Sequence, residues 1–291
     1  MNRVFDRLIA AQARWARPLG DFNHRWLAAL FRPVPAIADL LHGRWLGHPL
    51  HSVLTDAPIG IMFMLVVLDL IRQPIAADLT LVFGILTMLA AAVTGAADYS
   101  QTDGTPRERA TVHSTLMVAA LLVYAGSLAL RAGAGPDGER GVAIGLSVVG
   151  FVILAAGAYV GGQVVYLFGN MVSRHAFRGS SAKWIALEPA ELDEHGGIPE
   201  GRPVKGRLGI NALALVRHGD RILAVHDECA HAGEPLSGGS VDDGTITCPW
   251  HGSRFRLSDG RVVRGPSVYD QPVYDVRRRD GGGWEARRRS P

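Results

Sequence analysis

Three uncharged stretches limit what this chain can fold into. Leu79–Ala97 runs for 19 residues without a charge, Val112–Leu130 for another 19 with His113 near its start, and Val142–Phe168 for 27. About 20 apolar residues span the hydrocarbon of a bilayer, and a soluble domain of ordinary size has no room to bury three such segments. A fourth stretch, Ala57–Ile71, is shorter and carries Asp69; it reaches spanning length if it extends back through Ser52. Its neighbours favour a fourth span over a buried soluble helix, which gives two helical hairpins. Gly84, Gly95, Gly126, Gly145, Gly150 and Gly157 fall inside the spans, where small residues let helices approach closely.

The apolar character stops abruptly. After residues 171–182, read as a linker, the pattern changes to short β-type runs: W-I-A-L, A-L-A-L-V, I-L-A-V-H, T-I-T-C and P-V-Y-D-V. Turn sequences H-G-D-R, S-G-G-S, D-D-G-T, S-D-G-R and D-G-G-G separate them. The fold class is therefore α + β in separate domains: a four-helix transmembrane bundle over 51–170 and a small all-β domain over 183–291. Residues 1–50 form a basic segment. Val4, Phe5, Leu8, Ile9 and Trp15 sit loosely at helical spacing among arginines, as in a helix lying on a membrane surface or packed against the protein.

The formal charge is +3, and seven arginines lie in the first 44 residues. Anionic lipid accounts for them as well as nucleic acid would, so the lipid bilayer is the expected partner and nucleic acid is not. The arginines of residues 1–50, with Arg107, Arg109, Arg174, Arg178 and Lys183, outweigh Arg72, Arg131 and Arg140 in the opposite loops. This places both termini and the β domain in the cytoplasm of a multi-pass cell-membrane protein. A twin-arginine signal for exporting a filled cluster is not seen, in keeping with that side.

The chain has two cysteines, and each has a histidine close behind: Cys229-Ala-His231, then 16 residues, then Cys248-Pro-Trp-His251. Two thiolates and two imidazoles could hold zinc, but zinc fingers usually pair like with like along the chain, whereas here each loop supplies one of each. That suits a binuclear centre whose two metals take different ligands.

The motif C-x-H-x16-C-x-x-H, with G-E-P-L-S-G-G after the first pair and H-G-S-R-F after the second, resembles the Rieske iron–sulfur family. The resemblance implies a [2Fe–2S] cluster with Cys229 and Cys248 on the inner iron and His231 and His251 on the outer one. Relatives in cytochrome bc complexes add two further cysteines and place a serine and a tyrosine after the second histidine. This sequence keeps the serine as Ser253, expected to hydrogen-bond toward the cluster, and has Phe255 in place of the tyrosine. Those departures, with Trp250, point to the ferredoxin-like type. Histidine ligation gives potentials of about −150 to +300 mV, against about −400 mV for all-cysteine plant-type clusters; loss of one donor argues for the lower part of that range.

Residues 45–170 resemble a bacterial four-helix membrane domain that begins with an H-P-x-H-type element and often occurs beside Rieske modules. The resemblance brings no established activity. His48 and His51 precede the first span, and His113 opens the third, at the same face of the bilayer as Asp98 and His175. One reading makes His48, His51 and His113 a haem, metal or quinone site. The favoured reading places them at the interface as helix-start and headgroup contacts, with Thr55 and Asp56 capping the A-P-I-G helix and Asp69 and Asp98 as end-of-helix polar residues. Haem is thus left as an unfavoured second cofactor.

The function that follows is membrane-anchored one-electron transfer, with a redox protein or quinone as the exchange partner. The chain reads as a component of an oxidoreductase system rather than a stand-alone enzyme, since no second iron domain with its own substrate pocket is expected. The rivals are a quinol- or haem-coupled membrane oxidoreductase and a redox-sensing module.

Overall fold

The computed structural model describes residues 2–135, 138–176 and 183–289. Residues 177–182 of the expected linker, Arg178 among them, lie outside the described residues. Two compact units emerge: Met1–Leu41 with Pro49–Asn170, and His42–His48 with Met171–Pro291.

The first unit is helical. Helices α1 (Asn2–Ala10), α2 (Ala13–Phe31) and α3 (Pro35–His42, ending where the second unit's short segment begins) precede four long ones: α4 (Leu50–Leu70), α5 (Pro74–Tyr99), α6 (Gly104–Ala134) and α7 (Gly141–Gly162). A π turn, Gln163–Leu167, continues α7. All four long helices have the length and apolarity to cross a membrane. Helix α4 packs on α5 and α7, and α6 packs on the same two, so α4 and α6 occupy opposite corners of the bundle. Met62, Leu65, Leu81, Ala120, Tyr124 and Leu154 fill its centre. Phe63, Phe83, Leu86 and Val152 point outward, as apolar side chains facing lipid would.

Helix α2 packs one face against α5 and α6. Ala16 and Gly20 are buried, Ala16 against Val112 and Val160, while Phe22, Trp26 and Leu30 are exposed. The Tyr99 hydroxyl donates to the Gly20 carbonyl.

The A-P-I-G helix does not start where the sequence suggested. Pro49 is the N-cap and α4 begins at Leu50, so Thr55 and Asp56 lie inside it and cap nothing; the Thr55 hydroxyl donates to the Ser52 carbonyl. Pro58 sits mid-helix. Its missing N–H costs one backbone bond, which a membrane helix tolerates. His113 likewise lies well inside α6, which starts at Gly104.

Asp69 lies at the end of α4 as expected, but it is buried. Arg131, 1% exposed, donates to both Asp69 oxygens at 2.8 and 2.6 Å, and to Asp78, Ser127 and Ser147. Arg140 pairs with Asp78. The sequence had placed Arg131 in a loop; α6 runs on to Ala134 and turns it inward.

The second unit is β. Ten strands run β1 (Ile185–Pro189), β2 (Val204–Leu208), β3 (Asn211–His218), β4 (Arg221–His226), β5 (Ser240–Asp242), β6 (Thr245–Thr247), β7 (Arg254–Arg256), β8 (Val262–Arg264), β9 (Val273–Arg278) and β10 (Trp284–Arg288). A closed barrel has the order β1-β10-β9-β4-β3-β2, and a second antiparallel sheet the order β5-β6-β7-β8. Strand β2 shows the period of two: Val204, Gly206 and Leu208 inward, Lys205 and Arg207 outward. Leu187, Leu208, Leu213, Leu215 and Tyr274 make the barrel core. A second core gathers Val225, Leu236, Ile246, Phe255 and Leu257 around Cys229 and Cys248.

Candidate metal centre

Two loops of the β unit carry the chemistry. The first follows β4 and the second joins β6 to β7, and they are built alike. The Gly233 N–H donates to the Cys229 carbonyl at 2.9 Å, and the Gly252 N–H to the Cys248 carbonyl at 3.2 Å. Each cysteine thus opens a turn closed four residues later by a glycine, at φ of +93° and +73° respectively, a conformation that glycine adopts at little cost. The shared C-x-x-x-G spacing was visible in the sequence, but the offset histidines, second in one loop and third in the other, obscured it.

The turns aim backbone donors at sulfur. The N–H groups of His231 and Ala232 face the Cys229 sulfur, and those of Trp250 and His251 face the Cys248 sulfur. Both cysteines are buried and neither forms a disulfide. The Cys229 thiol donates to the Cys248 sulfur, which pushes Cys229 up; the same bond, with the Trp250 and His251 N–H groups, brings Cys248 down to about 7 against the opposing effect of burial. The imidazoles pair as well: the His231 and His251 rings meet edge to face with centroids 4.9 Å apart. Burial, with His251, His42 and Arg174 adding to it, lowers His231 to about 3, so it is neutral at ordinary pH as a metal ligand must be.

The four sequence-selected residues therefore come together as sulfur beside sulfur and nitrogen beside nitrogen. Among the described residues no three His, Cys, Asp or Glu side chains converge on one ion. A mononuclear zinc site would need such a convergence. Two separate pairs, each supplied by both loops, fit a two-iron unit with unlike ligands.

The surroundings of the four are less visible in sequence. Gln271, 2% exposed, donates through Nε2 to the carbonyls of His226 and Glu228, both at 2.6 Å, and accepts from the Ala230 N–H at 3.0 Å. Asp227, equally buried, accepts from the Ser237 N–H at 2.7 Å. Ser253 is buried; its carbonyl accepts from the Cys248 N–H at 2.9 Å and its Oγ from the Ser267 N–H at 3.0 Å, so its hydroxyl keeps a proton to donate. Phe255 packs in the core with both cysteines. Trp250 is 54% exposed beside His251, with ring centroids 5.8 Å apart.

The membrane-proximal histidines separate. His48 is exposed in the short segment grouped with the β unit. His51 and His113 both belong to the helical unit, where their ring centroids lie 6.3 Å apart.

A barrel with a small second sheet, bearing two matched Cys/His turns, defines a Rieske-type iron–sulfur module. Comparison with known proteins agrees: residues 188–275 match the Rieske [2Fe-2S] domain, and residues 47–174 match a predicted membrane protein domain, DUF2231. Ferredoxin CarAc of Metapseudomonas resinovorans is 35% identical over 75 residues, 26% of this chain and 70% of that protein. The anthranilate 1,2-dioxygenase ferredoxin subunit of Burkholderia cepacia is 34% identical over 100 residues, 34% of this chain and 88% of that protein. Among solved structures, the ferredoxin of carbazole 1,9a-dioxygenase from Nocardioides aromaticivorans IC177 is 26% identical with a TM-score of 0.30, covering 36% of this chain and 99% of that one. The chain belongs to the Rieske [2Fe–2S] family and carries a DUF2231 membrane domain ahead of the Rieske domain. It is a [2Fe–2S] protein with four candidate transmembrane helices, and its relatives associate it with electron transfer.

Proposed function

We propose that this protein is a membrane-anchored one-electron carrier of the ferredoxin-like Rieske type. Cys229 and Cys248 hold one iron, and His231 and His251 hold the other. The pairing of thiol with thiol and imidazole with imidazole across two loops carries this assignment. When bound, the cluster accepts and releases one electron. The chain's own residues set the conditions. Four backbone N–H groups directed at the two sulfurs favour thiolates. Burial keeps His231 neutral. The Ser253 hydroxyl keeps a proton to offer a cluster sulfur, and Phe255 has none, which favours a potential in the lower part of the Rieske range.

The exposed Trp250 beside His251 offers a contact surface for a redox partner, a soluble oxygenase or reductase component as the ferredoxin relatives suggest. The arginines of residues 1–50 support a cytoplasmic position for both termini and for the β domain. The domain divisions drawn from the sequence are kept in this reading: 1–50 basic and interfacial, 51–170 spanning, 171–182 linking and 183–291 carrying the cluster.

The full chain, purified anaerobically from membranes, tests the assignment. Two irons and two sulfides per chain are expected, with a Rieske-type paramagnetic resonance signal on reduction that Cys229→Ser, Cys248→Ser, His231→Ala or His251→Ala abolishes. Zinc without sulfide would overturn it. A midpoint near the bottom of the range supports ferredoxin-like work; one well above it supports quinol chemistry. A reporter fused to the C-terminus reads sidedness.

A further inference from the structure

The helical unit holds a second arrangement that the iron–sulfur loops do not explain. His51 on α4 and His113 on α6 stand on diagonal corners of the bundle. His51 Nδ1 lies 2.9 Å from the Ala91 carbonyl of α5, and His113 Nδ1 lies 2.8 Å from the Gly157 carbonyl of α7. A carbonyl only accepts, so each Nδ1 carries the proton. Each Nε2 then presents a lone pair. Among the described residues neither Nε2 has a hydrogen-bond partner.

The two sites repeat one design. Four residues beyond each accepting carbonyl stands a glycine against which the ring lies. A Cβ at Gly95 would come within 2.8 Å of the His51 ring, and one at Gly161 within 2.8 Å of the His113 ring. In each hairpin the first helix gives the histidine, and the second gives the carbonyl that orients it and the small residue that admits it. Orientation of a ligand histidine through Nδ1–H to a carbonyl is the usual support for metal binding through Nε2.

The spacing selects the geometry. A metal–nitrogen bond of about 2 Å, with about 1.1 Å from nitrogen to ring centre, puts the centres of two trans imidazoles about 6.3 Å apart and of two tetrahedral ones about 5 Å apart. The observed separation is 6.3 Å. Among the described residues no third His, Cys, Asp or Glu joins the pair, which leaves the remaining positions of a six-coordinate metal to a macrocycle.

We propose that the helical unit binds one haem between its diagonal helices, with His51 and His113 as the two axial ligands. The interface role favoured from the sequence leaves two like-oriented, unpaired Nε2 atoms without a purpose; the haem reading uses both. It does not depend on the iron–sulfur assignment.

The test uses the full chain, produced with haem precursor and purified in detergent. One haem per chain is expected, with the split visible bands of a reduced six-coordinate low-spin haem. His51→Ala and His113→Ala should each lower haem content more than about tenfold while the iron–sulfur resonance persists. Added imidazole should restore the low-spin spectrum to the alanine variants, as it would not if the histidines only held the helices together. Near-infrared magnetic circular dichroism of the wild-type chain reads bis-imidazole ligation directly and serves if a variant fails to fold. The proposal is overturned if the wild-type chain neither retains haem nor forms a low-spin complex when titrated with haemin. It is equally overturned if one copper per chain takes haem's place, or if both alanine variants keep the low-spin spectrum.

Discussion

Gln271 and Ala230 are separated by 41 positions in sequence and joined by a 3.0 Å hydrogen bond. With its amide donating to the carbonyls of His226 and Glu228 on the other side of Cys229, one buried side chain holds the main chain around the first cluster loop from three points. Gln271→Ala leaves two buried backbone groups and one half-buried one without this partner. Each costs about 1–3 kcal/mol if nothing replaces it. The expected outcome is a lower melting temperature of the β unit and a cluster lost faster to a chelator, with the resonance line shape of the remaining cluster broadened. Normal melting and normal cluster retention would show that Gln271 is dispensable.

Arg131 and Asp69 make a different kind of contact. Both are buried, at 1% and 8% exposure, in helices long enough to span a membrane. Removing one partner strands a charge: Arg131→Leu or Asp69→Leu should destabilise the bundle by about 3–5 kcal/mol. The double replacement should recover most of that loss, because it strands nothing at this pair and Asp78 retains Arg140. Unfolding in detergent, followed by circular dichroism, checks the cycle.

Acid should act through Asp193. Its carboxylate accepts from the Gly197 N–H at 2.7 Å and the His195 N–H at 3.0 Å, and pairs with Arg217 at 3.1 Å. Those hydrogen bonds, the Gly197 one foremost, hold its pKa below the ordinary value. A depressed folded pKa gives stability that is present above the unfolded value of about 3.9 and disappears as pH falls through the folded one. Asp193→Ala should therefore melt below wild type at neutral pH, and the gap should close as the pH drops below about 4. A gap that is constant with pH would remove the charge from the explanation.

How much of this was readable from the chain depends on the range of the interaction. The spans were legible because 19 uncharged residues in a row have few other fates, and the cluster loops because ligand chemistry fixes residue type and spacing. Arg131 was misplaced because its pairing with Asp69 joins residues 62 positions apart, and no local pattern marks an inward arginine. Thr55-Asp56-Ala57-Pro58 looked like a helix start because such residues usually are one; the bundle overrode that by continuing α4 back to Leu50. His51 and His113 were both singled out, but the matching carbonyls at Ala91 and Gly157 lie 40 and 44 residues away and show only when the hairpins close. Gln271 escaped notice for the same reason, as a single polar residue whose partners are all distant in sequence.

Gly260 ties the last prediction to the first. It takes the turn after β7, where its N–H donates to the Arg256 carbonyl at 2.8 Å and its carbonyl accepts from the Gln271 N–H at 2.8 Å. A Cβ there would overlap the Gln271 carbonyl oxygen and stand 2.7 Å from a Val273 methyl. Backbone cannot give way as a flexible side chain can, so Gly260→Ala should push the 271–273 segment outward and withdraw the Gln271 amide from the first cluster loop. The variant should then reproduce the Gln271→Ala defect in cluster retention. Because both act through one set of hydrogen bonds, the double variant should be no worse than about 0.5 kcal/mol beyond Gly260→Ala alone, the tolerance within which independent sites usually add. Fully additive losses would mean that Gly260 supports the fold by a route that does not pass through Gln271.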